Sequence, residues 1–239
     1  MKTFLQFSGG KDSIAVLHLL RAHWDKLTVV WLCTDAALPE TVEYMRDIEA
    51  IVPHFLVVRG RQTIAERGYP ADLVPSARTK EAALLHPLAP GQHRFQSKWD
   101  CCLTTISYPL HAAMVELGAE CIIRGSKKSD GFHSPIEPGS TFLGIRYELP
   151  IWEWSDAQVR EYLDANGIEL PDHYATMNTG LDCWNCTAYL YENQGKLAYL
   201  RQHHPAKFEH VRDVLRDLER ATDAEAPHLH ERLKELTCP

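Results

Sequence analysis

Apolar positions along the chain change period several times, and each change predicts an element. Phe4-Leu5-Gln6-Phe7 is a short apolar run that stops at Ser8-Gly9-Gly10, and Ile14 to Leu20 follows with apolar residues at helical spacing. The pattern predicts strand, tight turn, helix. Leu27 to Cys33, rich in valine, predicts a second strand, and Pro39 opens a helix through about Ile51, with proline in the first turn where its missing N–H costs nothing. Phe55 to Val58 predicts a third strand. Strands alternating with helices imply a parallel sheet with right-handed crossovers, whose ligands bind at the carboxyl ends of the strands.

Between Gly68 and Gln96 the periodicity fails, and Pro70, Pro75, Pro87 and Pro90 predict an irregular connection or a lid over the site. Pro109 to Leu117 is helical in pattern, and 120–123 is a strand. The loop leaving that strand is Arg124-Gly125-Ser126-Lys127-Lys128-Ser129-Asp130. Ser155 caps a helix over about 156–166 that ends at Gly167. Helices follow over 194–203 and 206–220, then a polar tail. The expected fold is α/β, a parallel twisted sheet with helices on both faces. Residues 1–190 form its nucleotide-binding domain and 191–239 a C-terminal helical extension.

Composition narrows the function. A formal charge of -7 argues against a protein that coats nucleic acid or anionic membrane by bulk charge, although a local basic site is compatible with it. No apolar run is long enough to span a membrane, and Met1-Lys2-Thr3-Phe4 enters a strand pattern with no signal-peptide core, so the expected location is the cytoplasm. Seven cysteines in a chain of this size point to metal or redox chemistry rather than a secreted disulfide framework. Thirteen histidines form no cluster at metal spacing, and His203-His204 and His228-Leu229-His230 are read as exposed helix positions.

The chemistry concentrates in Ser8-Gly9-Gly10-Lys11-Asp12-Ser13. Phosphates need backbone N–H groups converging from one side, a nearby cation and no Cβ in the way. Gly9 and Gly10 allow the approach, Lys11 brings charge, Ser8 and Ser13 add hydroxyl donors, and the following helix presents its positive end. Two glycines before the lysine and an aspartate after it do not fit the G-x-x-x-x-G-K-S/T loop of γ-phosphate NTPases. Asp12 and Asp35 are candidates to hold Mg²⁺ through its water shell, Asp12 the better placed. Arg124, Lys127 and Lys128 form a second candidate anion site because their loop leaves a strand's carboxyl end.

The motif S-G-G-K-D-S resembles the PP-loop of ATP pyrophosphatases. Further segments resemble the phosphoadenylyl sulfate reductase family in the family's own order: Leu38-Pro39-Glu40-Thr41, Pro150-Ile151-Trp152-Glu153-Trp154-Ser155 with Val159 and Tyr162, and His173-Tyr174. The resemblance implies an adenine nucleotide alpha hydrolase-like fold. Cys101-Cys102 and Cys183-x-x-Cys186 resemble the four-cysteine pattern that holds a [4Fe–4S] cluster in adenylyl sulfate reductases. Four thiolates suit such a cluster chemically, zinc is the runner-up, and small buried hydrophobes are the reading better suited to Cys33 and Cys121. Trp184, between two of the four, would shield the cluster.

Three departures shape the implied activity. Thr105 and Ile106 stand where the reductases carry a basic pair, Cys238 lacks the reductases' C-terminal cysteine context, and Lys11 replaces an acidic residue. A lysine there favours ATP. The resemblance therefore implies an ATP pyrophosphatase, with Lys11 and Asp12 catalytic, that adenylates an acceptor for sulfur transfer. It is closest in motif combination to those of DNA phosphorothioation. A cysteine desulfurase or other sulfur donor and a nucleic-acid acceptor are the implied partners. The alternatives are a reductase producing sulfite and a non-catalytic nucleotide-binding subunit.

Overall fold

The computed structural model describes residues 1–130, 136–178, 180 and 182–237. In chain order its elements are β1 (Thr3–Gln6), α1 (Lys11–Leu19), β2 (Leu27–Thr34), α2 (Pro39–Ile51), β3 (Phe55–Gly60), α3 (Ile64–Arg67), β4 (Tyr69–Ala71), α4 (Ala82–Leu85) and β5 (Phe95–Ser97). Then come α5 (Lys98–Cys102), α6 (Tyr108–Glu116), β6 (Cys121–Ile123), β7 (Thr141–Phe142), β8 (Ile145–Glu148), α7 (Asp156–Ala165), α8 (Lys196–His203) and α9 (Pro205–Thr237). Among the described residues no helix is long and apolar enough to cross a membrane.

Two compact units form, 1–60 with 106–183 and 61–105 with 184–239. The first is an α/β unit on a six-stranded sheet in the order β3-β2-β1-β6-β8-β7, parallel except for the short edge strand β7. Alternation along the strands supplies both faces. Leu5, Val29, Trp31, Cys121 and Ile123 join Ile14, Leu17, Met45 and Val159 from α1, α2 and α7 in one core. Phe4, Val30 and Ile122 point the other way, onto Leu110 and Met114 of α6. Because β1 pairs with β2 on one side and β6 on the other, the crevice at the carboxyl ends of β1 and β6 is the sheet's switch point.

Most expected elements stand within a few residues of their predicted bounds. Ser155 caps α7 through a full capping box with Gln158, and Pro39 begins α2. The segment over 68–96 belongs to the second unit and carries β4, α4 and the start of β5. In that unit Ala71 and Phe95 pack with Val214 and Leu218 of α9. The polar tail expected after 220 is instead helix, since α9 runs unbroken through Pro227 to Thr237. Ala, Glu, Leu, Lys and Arg dominate that stretch, and their helix propensity outweighs one proline.

Candidate nucleotide site

The Ser8–Gly10 turn leaves the carboxyl end of β1 and feeds α1. Gly9 adopts φ +75°, the left-handed region that a side chain disfavours, and a Cβ there would meet Met45 at 2.6 Å. Ser8 Oγ accepts from the Gly10 N–H at 3.3 Å, and Ser13 Oγ–H donates to the Gly10 carbonyl at 2.9 Å, so the serines brace the turn. The Lys11 N–H donates to the hydroxyl of Tyr174 at 2.8 Å. Burial holds that phenol protonated by raising its pKa.

Gly125, after β6, packs on the same helix end. A Cβ there would lie 2.8 Å from the carbonyl carbon of Asp12 and 2.9 Å from the amide nitrogen of Ser13. Only glycine permits this approach of the two loops. Between them opens a cleft of about 250 Å³ lined by Ser8, Gly10, Asp12, Ser13, Arg124 and Gly125 together with Thr34 and Asp182.

The cations divide into two groups. Lys11 Nζ donates to both carboxylate oxygens of Asp12, each at 2.9 Å, and to Asp156 Oδ1 at 2.7 Å. Lys127, with its side chain 2% exposed, binds Asp12 at 2.9 Å, Asp130 at 2.7 Å and Asp156 at 3.3 Å. An ammonium has three N–H donors, so both lysines are fully engaged. Burial by itself would lower the Lys127 pKa, but Asp130 and Asp12 overcome it and raise the value. For Asp156, burial raises the pKa and the lysines more than reverse that, so it stays ionised. Arg124 is different: it lines the cleft, burial lowers its pKa, and its guanidinium has no ion-pair partner among the described residues.

Of the other expected site residues, Lys128 is exposed and 3.9 Å from Glu153, away from the cleft lining. Asp35 follows the end of β2, exposed and outside that lining. Asp182 is exposed on the cleft wall, and desolvation raises its pKa to about 6. Asp130, Asp156, Asp182 and Tyr174 were not predicted as site residues. Their only sequence signal was proximity to motifs read for other reasons.

Cys101, Cys102 and Cys186 belong to the second unit, and Cys183 ends the first. None is in a disulfide. Burial raises the Cys101 pKa, and hydrogen bonds with Thr63 and Thr105 oppose it. Tyr189 approaches Cys102 Sγ at 3.3 Å. Among the described residues no group of three or more His, Cys, Asp or Glu side chains is arranged as a metal site. Donor chemistry, four soft thiols, still fits a cluster. Cys238 lies outside the described residues.

Glycine turns at a sheet switch point, the amino end of a helix and an arginine lining the cleft between them are the features of a nucleotide-binding protein of the α/β class. The chain belongs to the phosphoadenosine phosphosulfate reductase domain family, whose model matches residues 2–189. This is a family of enzymes of sulfur-related nucleotide chemistry. Among solved structures, the phosphate complex of phosphoadenylyl-sulfate (PAPS) reductase from Candida auris is similar, at 19% identity over 73% of this chain and 78% of that one, with a TM-score of 0.47. No curated protein matches.

Proposed function

We propose that the cleft binds Mg-ATP and that the enzyme releases pyrophosphate while adenylating an acceptor, which sulfur then attacks to displace AMP. The observation that carries this reading is Arg124, a cation that lines the cleft beside the glycine loop and has no carboxylate partner among the described residues. An uncommitted guanidinium beside helix N–H groups is suited to a polyphosphate, whose charge spreads over several oxygens. Asp12 and Asp182 line the same cleft, and carboxylates beside phosphates are the donors that Mg²⁺ accepts, usually through water. Orientation and electrostatic stabilisation of the departing pyrophosphate would supply most of the acceleration.

Cys101, Cys102, Cys183 and Cys186 would hold a [4Fe–4S] cluster, which when bound offers soft sulfur chemistry for carrying or receiving sulfur from a donor such as a cysteine desulfurase. A nucleic acid is the proposed acceptor, and the cytoplasm the proposed location. Protein purified without oxygen should be brown and contain iron and sulfide, with a broad absorbance near about 400 nm from thiolate ligation. Stoichiometric zinc without iron would contradict it. Cys102→Ala should remove the colour and leave ATP binding measurable.

The activity itself is tested by following pyrophosphate and AMP from ATP under anaerobic conditions with candidate nucleic-acid acceptors. Equimolar, acceptor-dependent release is expected. The family's own description favours one other reading, a reductase, which predicts sulfite from adenylyl sulfate with thioredoxin and no pyrophosphate from ATP.

A further inference from the structure

We propose that two copies of this chain pair through the middle of α9, antiparallel and about a two-fold axis, closing a leucine-lined groove of the second unit between them. The proposal concerns residues outside the nucleotide cleft and holds whatever that cleft binds.

α9 presents two distinct faces. Val211, Val214, Leu218 and Ala221 recur at helical spacing and are buried, with Val214 and Leu218 packed on Ala71 and Phe95. Leu215 and Thr222 belong to the other face and, with Leu73, Leu190 and Leu197, line a groove of about 560 Å³. Leu73 is 63% exposed, Leu190 53% and Leu197 40%. Single exposed leucines are ordinary on a protein surface, but three along one groove make a contiguous apolar patch of the kind that marks an interaction site.

Charges in the same groove identify what covers it. Arg212, Arg216, Glu219 and Asp223 line it and recur at intervals of four, three and four residues, so they form one stripe along α9. The stripe is basic toward the amino end of the helix and acidic toward the carboxyl end. Arg212 bonds to Glu209 and Asp213 on its own helix, whereas Arg216, Glu219 and Asp223 have no ion-pair partner among the described residues.

The order of these charges has a symmetry. The midpoint between Arg212 and Asp223 is also the midpoint between Arg216 and Glu219, and it falls between Asp217 and Leu218. A two-fold axis there turns the stripe onto itself, setting Arg212 against the partner subunit's Asp223 and Arg216 against the partner subunit's Glu219, each twice over. A patch that complements its own copy under rotation suits an isologous dimer, and charges flanking an apolar strip fix register and direction, as they do between coiled-coil helices. Parallel pairing in register would set arginine against arginine.

Sedimentation velocity on the full chain without nucleotide, over a concentration series, is the test. The wild type should dimerise. Arg212→Glu with Arg216→Glu makes the stripe wholly acidic, and Glu219→Arg with Asp223→Arg makes it wholly basic. Each double variant should weaken self-association by about tenfold or more, because like charges then meet across the axis. An equimolar mixture of the two should recover the dimer, a result that loss of folding cannot produce. Leu190→Gln should weaken the wild-type dimer through the apolar side of the same groove. A wild type that stays monomeric throughout the series, a dimer indifferent to both charge reversals, or a mixture that remains monomeric would overturn the pairing.

Discussion

Gly125→Ala should cut pyrophosphate release about a hundredfold, the scale of an ångström misplacement beside the chemistry, and cost about 1–3 kcal/mol of stability. The methyl group would lie within 2.9 Å of the Asp12 carbonyl and the Ser13 amide nitrogen. Those are backbone atoms of the first turn of α1, so no side chain can swing aside. The loop after β6 has to lift, carrying Arg124 away from the cleft and straining the Lys127 link to Asp12. Thermal melts and pyrophosphate-release assays on the variant check both effects. Wild-type release with an unchanged melting temperature would mean that the two loops are not packed as described.

A larger loss of stability, about 3–5 kcal/mol, is expected from Asp217→Ala in the second unit. The Asp217 side chain is 2% exposed and accepts from Arg78 at 3.3 Å, from the His93 N–H at 2.6 Å and from Arg220 at 3.5 Å. Removing it leaves the His93 amide without its acceptor and Arg78 without its carboxylate, and α9 loses one of its polar ties to 61–105. Burial raises the Asp217 pKa, but hydrogen bonds from His93 and the charge of Arg78 lower it by more, to a net value below the ordinary 3.8. A depressed carboxylate contributes stability that is present above pH 3.8 and lost as pH falls through the folded-state value. The wild type should therefore lose protection in α9 only below about pH 4, whereas the variant should have lost it already at neutral pH. Hydrogen exchange over 205–220 measures this, and equal protection in the two proteins at pH 7 would refute the role given to Asp217.

Legibility in the sequence followed the range of the interactions. The β1-turn-α1 unit, α2 with Pro39 and α7 with Ser155 were readable because their causes are local: a glycine at positive φ, a proline in the first turn, a capping box. The pairing of β4 with β5 was not readable. Tyr69-Pro70-Ala71 and Phe95-Gln96-Ser97 are three residues each, too short for a period, and they are defined by packing on Val214 and Leu218 far along the chain. The tail after 220 misled for a different reason: its Leu229, Leu233 and Leu236 are at helical spacing, but they are sparse among polar residues and follow Pro227.

The same distinction divides the site. The spacing of Ser8 to Ser13 was enough to propose a phosphate loop, and the position of Arg124 after a strand was enough to propose an anion contact. How Lys11 and Lys127 are used depends on Asp130 and Asp156, and Asp156 lies 145 residues from Lys11. A lysine in a phosphate loop reads as a free charge in the sequence. In the fold two carboxylates, Asp12 and Asp156, already occupy it.

Binding calorimetry comparing Mg-ATP with adenylyl sulfate, on the wild type and on Arg124→Ala, tests the central claim that the cleft is an ATP site. The β- and γ-phosphates give ATP more negative charge to place near Arg124 than adenylyl sulfate carries, so ATP should bind more tightly. Arg124→Ala should weaken ATP by about 1.5–3 kcal/mol, the value of a charge-assisted hydrogen bond. Tighter binding of adenylyl sulfate, or an ATP affinity indifferent to Arg124, would contradict the account.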